Sequence, residues 1–228
     1  MIETQKKVIA LIEEVKKQLH YLKFFGFQEI QAQNPSDIIY HQKKEPPPLE
    51  KIEKEVEGCK RCKLSSTRTH IVFGVGNQNA DILFIGEGPG QEEDLKGIPF
   101  VGKAGQLLTQ IIEKGMGLKR SDVYICNIVK CRPPGNRDPE EEEIEACRAF
   151  LERQIKAINP KIIVALGKPA SSTLLGRNVM ITRERGTWHK FMGCKLMITY
   201  HPAFLLRFYT KENRSKVWED MKKVLAAL

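Results

Sequence analysis

Short apolar runs alternate with helical patterns from residue 80 onward, and this alternation predicts the fold. The runs are apolar at successive positions, which is typical of parallel strands that are covered on both faces. We therefore predict an α/β fold, a three-layer α/β/α sandwich with a central, mainly parallel four-stranded sheet. The predicted strands are 81–85, 123–129, 161–166 and 195–200, and the predicted helices are 104–116, 139–157, 168–175 and 211–227.

The first fifty residues follow a different pattern. Residues 5–22 have the apolar periodicity of one amphipathic helix, and polar, poorly periodic sequence follows it as far as Pro46-Pro47-Pro48. Three prolines cannot continue a helix and are typical of a linker. We therefore predict an N-terminal helical extension with a Pro-rich linker over residues 1–48, and one α/β domain over residues 49–228.

Glycines and polar residues follow each of the four predicted strands. In layered α/β folds, ligands bind beyond the carboxyl ends of the parallel strands. We therefore predict one crevice formed by four loops, at 86–90, 127–131, 167–168 and 201–202. The first loop begins the acidic segment GEGPGQEED, whose glycines would let a bound molecule approach the backbone closely.

Charge is distributed unevenly along the 228 residues. The chain has a formal net charge of +9, but residues 1–58 carry 9 basic and 10 acidic side chains, so the main domain holds the basic excess. Such a field attracts polyanions, and nucleic acid is the commonest of them. A lysine-rich surface that only keeps the protein in solution is the alternative interpretation.

Targeting signals are lacking in this sequence. No apolar run reaches the roughly 18 residues that span a bilayer, and the N-terminus has no short apolar core followed by a cleavage site. We therefore expect no membrane association and an intracellular protein. Six cysteines in such a protein favour metal or redox chemistry over disulfides, because the cytosol is reducing.

Four of the six cysteines have a spacing that suggests a metal site. Cys59 and Cys62 form a C-x2-C pair, whereas Cys131 and Cys147 stand apart from each other. Four thiolates can close a tetrahedral zinc site or hold an iron-sulfur cluster. One tight pair with two separated cysteines suits a 4Fe-4S cluster better than zinc, and four unrelated buried cysteines are the third interpretation.

Five motifs in this order resemble the family-four uracil-DNA glycosylases, the iron-sulfur class from bacteria and archaea. They are the Cys59-x2-Cys62 pair, GEGPGQEED, GIPFVGKAGQLL, NIVKCRPPGNRDPEEEEIEAC and HPAFLLR. The resemblance covers about residues 50–228 and leaves out residues 1–48. It implies an enzyme of the prokaryotic cytoplasm, associated with the nucleoid, that flips uracil out of DNA and hydrolyses its N-glycosidic bond to leave an abasic site. It also implies a 4Fe-4S cluster on the four cysteines, and we expect a monomer.

The resemblance implies that three side chains recognise the uracil base. Phe100 is the stacking platform for the flipped base. Asn127 accepts from uracil N3–H and donates to O4, which separates uracil from cytosine. His201 donates to O2, assisted by the backbone N–H groups of the loop that contains Gly88.

Other site residues have roles in hydrolysis and DNA binding. Gly88 stands where the best-known uracil glycosylases carry a water-activating Asp, so another carboxylate must take that role. Glu87 is the first choice and Glu93 the second, although Glu93 could instead exclude the thymine methyl group near C5. The remaining expectations are a wedge that enters the base stack, Leu205, and two phosphate contacts, Lys168 and Arg207.

Covalent relatives carry a basic insertion with an extra His before the last cysteine. The corresponding segment is short here, so we expect a monofunctional enzyme without a covalent intermediate. Two alternatives stay open: a glycosylase of the same fold for another deaminated base, and a non-catalytic iron-sulfur or zinc module that binds nucleic acid.

The N-terminal segment has one motif of its own. Gln18, Tyr21, Phe24 and Phe25 resemble the sequence by which repair proteins hold a sliding clamp, although Tyr21 replaces the usual aliphatic residue. The alternative interpretation of residues 1–48 is an extra helix that packs on the domain.

Overall fold

The computed structural model describes residues 3–24 and 48–228, and it divides the chain into two compact units, 1–45 and 46–228. The first unit contains helix α1 (Glu3–Phe24). Apolar side chains of its predicted face are 47–66% exposed: Val8, Leu11, Ile12 and Val15. Of the clamp-like sequence, Phe25 and the side chains of Gln18, Tyr21 and Phe24 lie outside the described residues.

A six-stranded sheet in the order β1-β3-β2-β4-β6-β5 forms the centre of the second unit. The four inner strands run parallel and each outer strand is antiparallel to its neighbour. The strands are β1 (Val75–Gly76), β2 (Ile82–Gly86), β3 (Tyr124–Asn127), β4 (Ile162–Leu166), β5 (Trp188–Phe191) and β6 (Cys194–Thr199). The prediction of a mainly parallel four-stranded core is confirmed, and the two short outer strands are additional.

Helices cover both faces of this sheet. Helix α4 continues into a π-helical turn at Ile111–Gly115. Because the two faces are covered by different helices, the three-layer prediction is confirmed. The described helices of this unit are α2 (Leu49–Glu57), α3 (Gln91–Lys96), α4 (Lys103–Gln110), α5 (Glu141–Ile158), α6 (Gly167–Leu175), α7 (Ile181–Glu184), α8 (Pro202–Arg207) and α9 (Lys211–Leu225). Within the described residues, none of the helices combines the length and apolar character that a membrane crossing requires.

Strand β2 shows why both faces must be covered. Its residues point alternately to the two sides of the sheet. Leu83 and Ile85 enter the core that contains α2, α5 and α6, and Ile82 and Phe84 enter the core that contains α4, α8 and α9. All four side chains are at most 2% exposed, so each contributes about 1.5–3 kcal/mol of burial free energy.

Parallel pairing brings the carboxyl ends of the inner strands to one edge of the sheet. Gly86, the last residue of β2, pairs with Asn127, the last residue of β3. Leu166 of β4 likewise pairs with Thr199 of β6. The loops that follow these strands therefore start side by side, although 75 residues, 87 to 161, separate the paired strands β2 and β4 in sequence.

Candidate active site

The loops at this edge surround a cavity of about 500 Å³. Its wall contains residues from the GEGPGQEED segment, from the end of β3 and from the start of α8. Of the nine catalytic and substrate-binding residues predicted from the sequence, seven line it, namely Glu87, Gly88, Glu93, Phe100, Asn127, His201 and Arg207. Most of the predicted site residues therefore lie around one cavity.

Small residues allow the polar and aromatic groups of the cavity to approach each other. A side chain at Gly86 would place its Cβ 2.4 Å from Asn127 Oδ1 and 2.5 Å from Phe100 Cζ. A Cβ at Gly167, which has a φ of +87°, would lie 2.9 Å from the His201 Cβ. Both positions therefore require glycine, and the requirement follows from the site itself.

Phe100 is held in an unusual backbone conformation. Its φ is +54°, which is uncommon for a residue with a Cβ, and the side chain is 7% exposed. Gly105 of α4 packs against the Phe100 carbonyl so closely that a Cβ there would overlap it. The Phe100 ring lies 5.6 Å from the His201 ring, with 35° between the ring planes. The two rings thus form one side of the cavity.

His201 is neutral at physiological pH in this environment. Burial lowers its pKa to about 4, although the nearby Glu93 acts in the opposite direction. The His201 Nδ1 accepts a hydrogen bond from the Ala203 N–H at 3.1 Å, at the start of α8. A neutral imidazole carries a single proton, so this proton must be on Nε2. His201 is therefore an uncharged donor at the cavity.

Asn127 has an amide oxygen without a partner. The residue is 1% exposed, and its Oδ1 is buried with no hydrogen-bond partner among the described residues. Leaving such an acceptor unpaired costs about 1–3 kcal/mol. A bound molecule with an N–H group would satisfy it. This orphaned oxygen is the strongest sign of what the cavity binds.

The two glutamates of the acidic segment have different surroundings. Glu93 Oε1 accepts from the backbone N–H groups of Val101 and Gly102, at 2.9 and 2.8 Å, and so braces the loop that carries Phe100. Glu87 Oε1 is buried without a hydrogen-bond partner among the described residues. Burial, and then the carboxylate of Asp138, raises the pKa of Glu87 to about 7. Glu87 is therefore the carboxyl group that is free to act on a bound molecule.

Two predicted site residues lie elsewhere. Leu205, the predicted wedge, is 2% exposed and belongs to the core with α4 and α9. The next residue, Leu206, is 43% exposed at the end of α8. Lys168 lines a neighbouring cavity of about 480 Å³, which shares Glu87 and Pro139 with the first.

Three residues were missed by the sequence reasoning. Leu206 and Asp138 had no local signal, because exposed leucines and acidic runs are common. Lys130 did have one, since a lysine inside the apolar run NIVKC is an unusual residue to bury. It is 1% exposed, and its ammonium donates to the Asn127 carbonyl oxygen at 2.7 Å.

The four cysteines of the predicted metal site pack against one core. All four are free thiols, and burial, with a smaller effect of Cys147 and Cys62, raises the pKa of Cys131 to about 11. Within residues 3–24 and 48–228, no three His, Cys, Asp or Glu side chains are close enough to hold a single metal ion.

Two cations point to an anionic group among these thiols. The Arg68 Nη1 lies 3.3 Å from the Cys131 Sγ. The backbone of Lys130 hydrogen-bonds to the Cys147 thiol, and its buried ammonium has no ion pair with a carboxylate of the described residues. The Lys130 side chain also hydrogen-bonds to the thiol of Cys126, but a buried ammonium without a carboxylate partner is costly. A thiolate-bound cluster would supply the missing negative charge, so the donor set fits one.

Comparison with known proteins gives a consistent result. The family model described as the uracil DNA glycosylase superfamily matches residues 73–222. A Type-4 uracil-DNA glycosylase from Thermotoga maritima is 49% identical over 77% of this chain and 92% of its own length. A protein of the same description from Sulfurisphaera tokodaii is 49% identical over 77% of this chain and 83% of its own. A Type-5 uracil-DNA glycosylase from Pyrobaculum aerophilum is more distant, at 29% identity over 56% of this chain and 63% of its own length.

The His201 ring should be neutral at pH 7, with its proton on Nε2. With a pKa of about 4, it should gain a second proton only as the pH falls through that value. Nitrogen-15 NMR of histidine-labelled protein between pH 3.5 and 8 measures both properties, and His201→Gln identifies the signal. An imidazolium at pH 7, or a proton on Nδ1, would contradict the assignment.

Proposed function

The chain belongs to the uracil-DNA glycosylase superfamily, and we propose that it removes uracil from DNA by hydrolysing the N-glycosidic bond. The buried Asn127 oxygen without a partner carries this proposal, because it faces a cavity that also contains a neutral His201 and the Phe100 ring. The likeness to Type-4 uracil-DNA glycosylases supports it. The product would be an abasic site in DNA.

Asn127 would read the edge of a flipped base. Its Oδ1 accepts from uracil N3–H while its Nδ2 donates to O4, and the base rests against Phe100. Cytosine presents an acceptor and an amino group at these two positions, so both members of each pair would be left unsatisfied. The cost of such unpaired buried groups excludes the normal base.

His201 would stabilise the leaving group. When the bond between C1′ and N1 breaks, its electron pair goes to uracil, and negative charge develops near O2. The Nε2–H of His201 donates to that oxygen, and backbone N–H groups at Gly88 assist. Because the His201 ring is neutral before the reaction, it acts as a hydrogen-bond donor in a fixed position, and its charge does not change when the bond breaks.

Glu87 and Glu93 would have different roles in the reaction. Glu87 has the free buried oxygen and the raised pKa, so it positions the water that attacks C1′. Glu93 is already held by two backbone N–H groups, so it fixes the Phe100 loop and crowds the C5 side of the base. Water is the nucleophile, and no covalent intermediate forms.

The surface beside the cavity would bind and deform DNA. Arg207 lines the cavity itself and Lys168 the neighbouring one, where both can contact phosphates. Leu206 takes over the wedge role from Leu205, because it is the exposed leucine of α8. Insertion of such a side chain would offset the cost of base flipping.

The four cysteines would hold a 4Fe-4S cluster: Cys59, Cys62, Cys131 and Cys147. When bound, the cluster supplies a structural link and a negative charge. It would tie residues 59–62 to the segment that follows β3. Lys130 and Arg68 would balance its charge, and the Lys130 contact with the Asn127 carbonyl would connect this region to the base-reading residue.

Replacement of Asn127 by alanine should lower the rate of uracil excision at least about 100-fold, because the base loses the side chain that pairs with its N3 and O4. Oligonucleotides that carry uracil, hypoxanthine, thymine or cytosine, followed by alkaline cleavage, measure this rate. Asn79→Ala on the exposed surface is the control. Cleavage of hypoxanthine in preference to uracil would favour the alternative substrate, and no cleavage of any base would contradict the proposal.

Purified protein should be brown and contain iron and acid-labile sulfide in equal amounts, about four of each per chain. Cys131→Ala should lose the cluster, because a thiolate ligand is removed. Cys194→Ala should keep it, since Cys194 lies in β6 and outside the four. Elemental analysis and visible absorption measure the contents. One zinc per chain without iron would contradict the cluster.

Truncation of Leu206 should slow excision from duplex DNA by roughly 10–100-fold and leave single-stranded DNA nearly unaffected, because only the duplex must be unstacked. Leu205→Ala should instead lower the free energy of unfolding by about 2–5 kcal/mol, as expected for a core leucine. Single-turnover rates and thermal unfolding distinguish the two. Equal losses on both DNA forms for Leu206→Ala would argue against the wedge.

A further inference from the structure

Glu87 lies on the wall between two cavities. It lines the candidate active-site cavity and also the neighbouring one, whereas Asp138 lines the neighbouring cavity. The side chains of Glu87 and Asp138 hydrogen-bond to each other. Asp138 is exposed to solvent, and Glu87 is half-buried. The two carboxyl groups thus connect the site of chemistry to open water on its other side.

An ion pair between Arg137 and Glu143 adjoins Asp138. The Arg137 guanidinium donates to both oxygens of Glu143, at 2.8 and 2.6 Å, and to the Asp138 carbonyl oxygen at 2.9 Å. Glu143 is fully buried at the start of α5 and also accepts from the Glu140 N–H at 2.8 Å. Bidentate pairs of this kind fix geometry as well as charge. The backbone carbonyl of Asp138 is therefore held by the same guanidinium that pairs with Glu143.

Two carboxyl groups in hydrogen-bond contact need a shared proton, because two carboxylates have no hydrogen to place between them. Arg137 lines the same cavity as Glu87, but its guanidinium is engaged by Glu143. The raised pKa of Glu87 agrees with a proton held there near neutral pH.

We propose that Asp138 is a positioning residue that acts through Glu87, and that the two carboxyl groups relay the proton of the attacking water out of the active site. The proposal rests on the proposed uracil excision. Asp138 would accept the hydrogen bond of the Glu87 carboxyl group and so direct the other Glu87 oxygen toward the water.

The water oxygen bonds to C1′ while the bond from C1′ to N1 breaks and leaves its electrons on uracil. The water gives one proton to the free Glu87 oxygen, and the proton already on Glu87 moves to Asp138. Asp138 then releases a proton to solvent in the neighbouring cavity, and the pair returns to its starting state with one proton.

Other charged groups near Glu87 bear on its titration. Across the active-site cavity these are Glu93, Arg137, His201 and Arg207. Across the neighbouring cavity they are Asp138, Glu141, Arg148, Lys168 and Arg177. His201 stays neutral above about pH 5, because burial lowers its pKa to about 4. Of the three carboxylates, Asp138 is the one that hydrogen-bonds to Glu87.

Asp138→Asn should change the pH dependence of the single-turnover rate. The wild-type relay works with Glu87 protonated, so its rate should persist as the pH falls from 8 to 5.5. An amide cannot accept the proton, so the variant needs ionised Glu87, whose pKa burial still holds above the ordinary value. The variant should therefore lose roughly 3–10-fold at pH 5.5 and less than about 3-fold at pH 8.

Matched variants separate the relay from a structural effect. Asp81→Asn, on the exposed surface before β2, should leave the pH profile unchanged, and Asp138→Glu should restore part of the rate at pH 5.5. Thermal unfolding checks that each variant folds. A loss for Asp138→Asn that is equal at all pH values, or a wild-type rate that falls with Glu87 protonation near pH 7, would overturn the relay.

A second measurement does not depend on activity. Carbon-13 NMR of labelled glutamate should show the Glu87 carboxyl group titrating near pH 7 in the wild-type protein and at lower pH in Asp138→Asn, because a like charge is removed. Glu87→Gln identifies the signal. An unchanged Glu87 midpoint would overturn the pair even in an active enzyme. If the Glu87 midpoint is lower in Asp138→Asn but the wild-type protein excises no base, the result would support the Glu87–Asp138 pair and contradict the proposed function.

Discussion

Parallel pairing of the four inner strands is the constraint on which the candidate site depends. It places Asn127 next to Gly86 and brings the His201 loop to the same edge, although these residues are far apart in sequence. The pairing is stable because apolar side chains of β2 and its neighbours are buried on both faces of the sheet. The polar residues come directly after the buried runs, so the same strands that form the core also position the chemistry.

Close packing at this edge then determines how each group can act. Glycine at positions 86 and 167 lets Asn127, Phe100 and His201 share one small volume, and burial in that volume keeps His201 uncharged. The same burial raises the pKa of Glu87 and leaves the Asn127 oxygen without a partner. Low exposure thus makes His201 a neutral hydrogen-bond donor and gives the Glu87 carboxyl group a pKa near neutrality. It also leaves the Asn127 oxygen as an acceptor that a ligand N–H can satisfy. These are the groups that cleavage of a uracil glycosidic bond requires.

Much of this arrangement was predictable from the sequence, because central strands covered on both faces are apolar without interruption. Strand β5 was not, since its residues are exposed or half-exposed and lack that signal. The burial of Leu205 could not be predicted, because the side of α8 that faces the core depends on where the helix begins, and His201 caps it directly before Pro202. The contact between Glu87 and Asp138 could not be predicted either, because the fold brings together segments that are about fifty residues apart in sequence. It also depends on the ion pair between Arg137 and Glu143.

A crystal structure of the protein with free uracil would show where the base binds relative to the strand ends. We expect uracil in the cavity of about 500 Å³, with its ring against Phe100, N3 and O4 at the Asn127 amide, and O2 at the His201 Nε2. Uracil bound instead in the neighbouring cavity beside Lys168, or in the predicted cavity without a hydrogen bond to Asn127, would contradict this expectation.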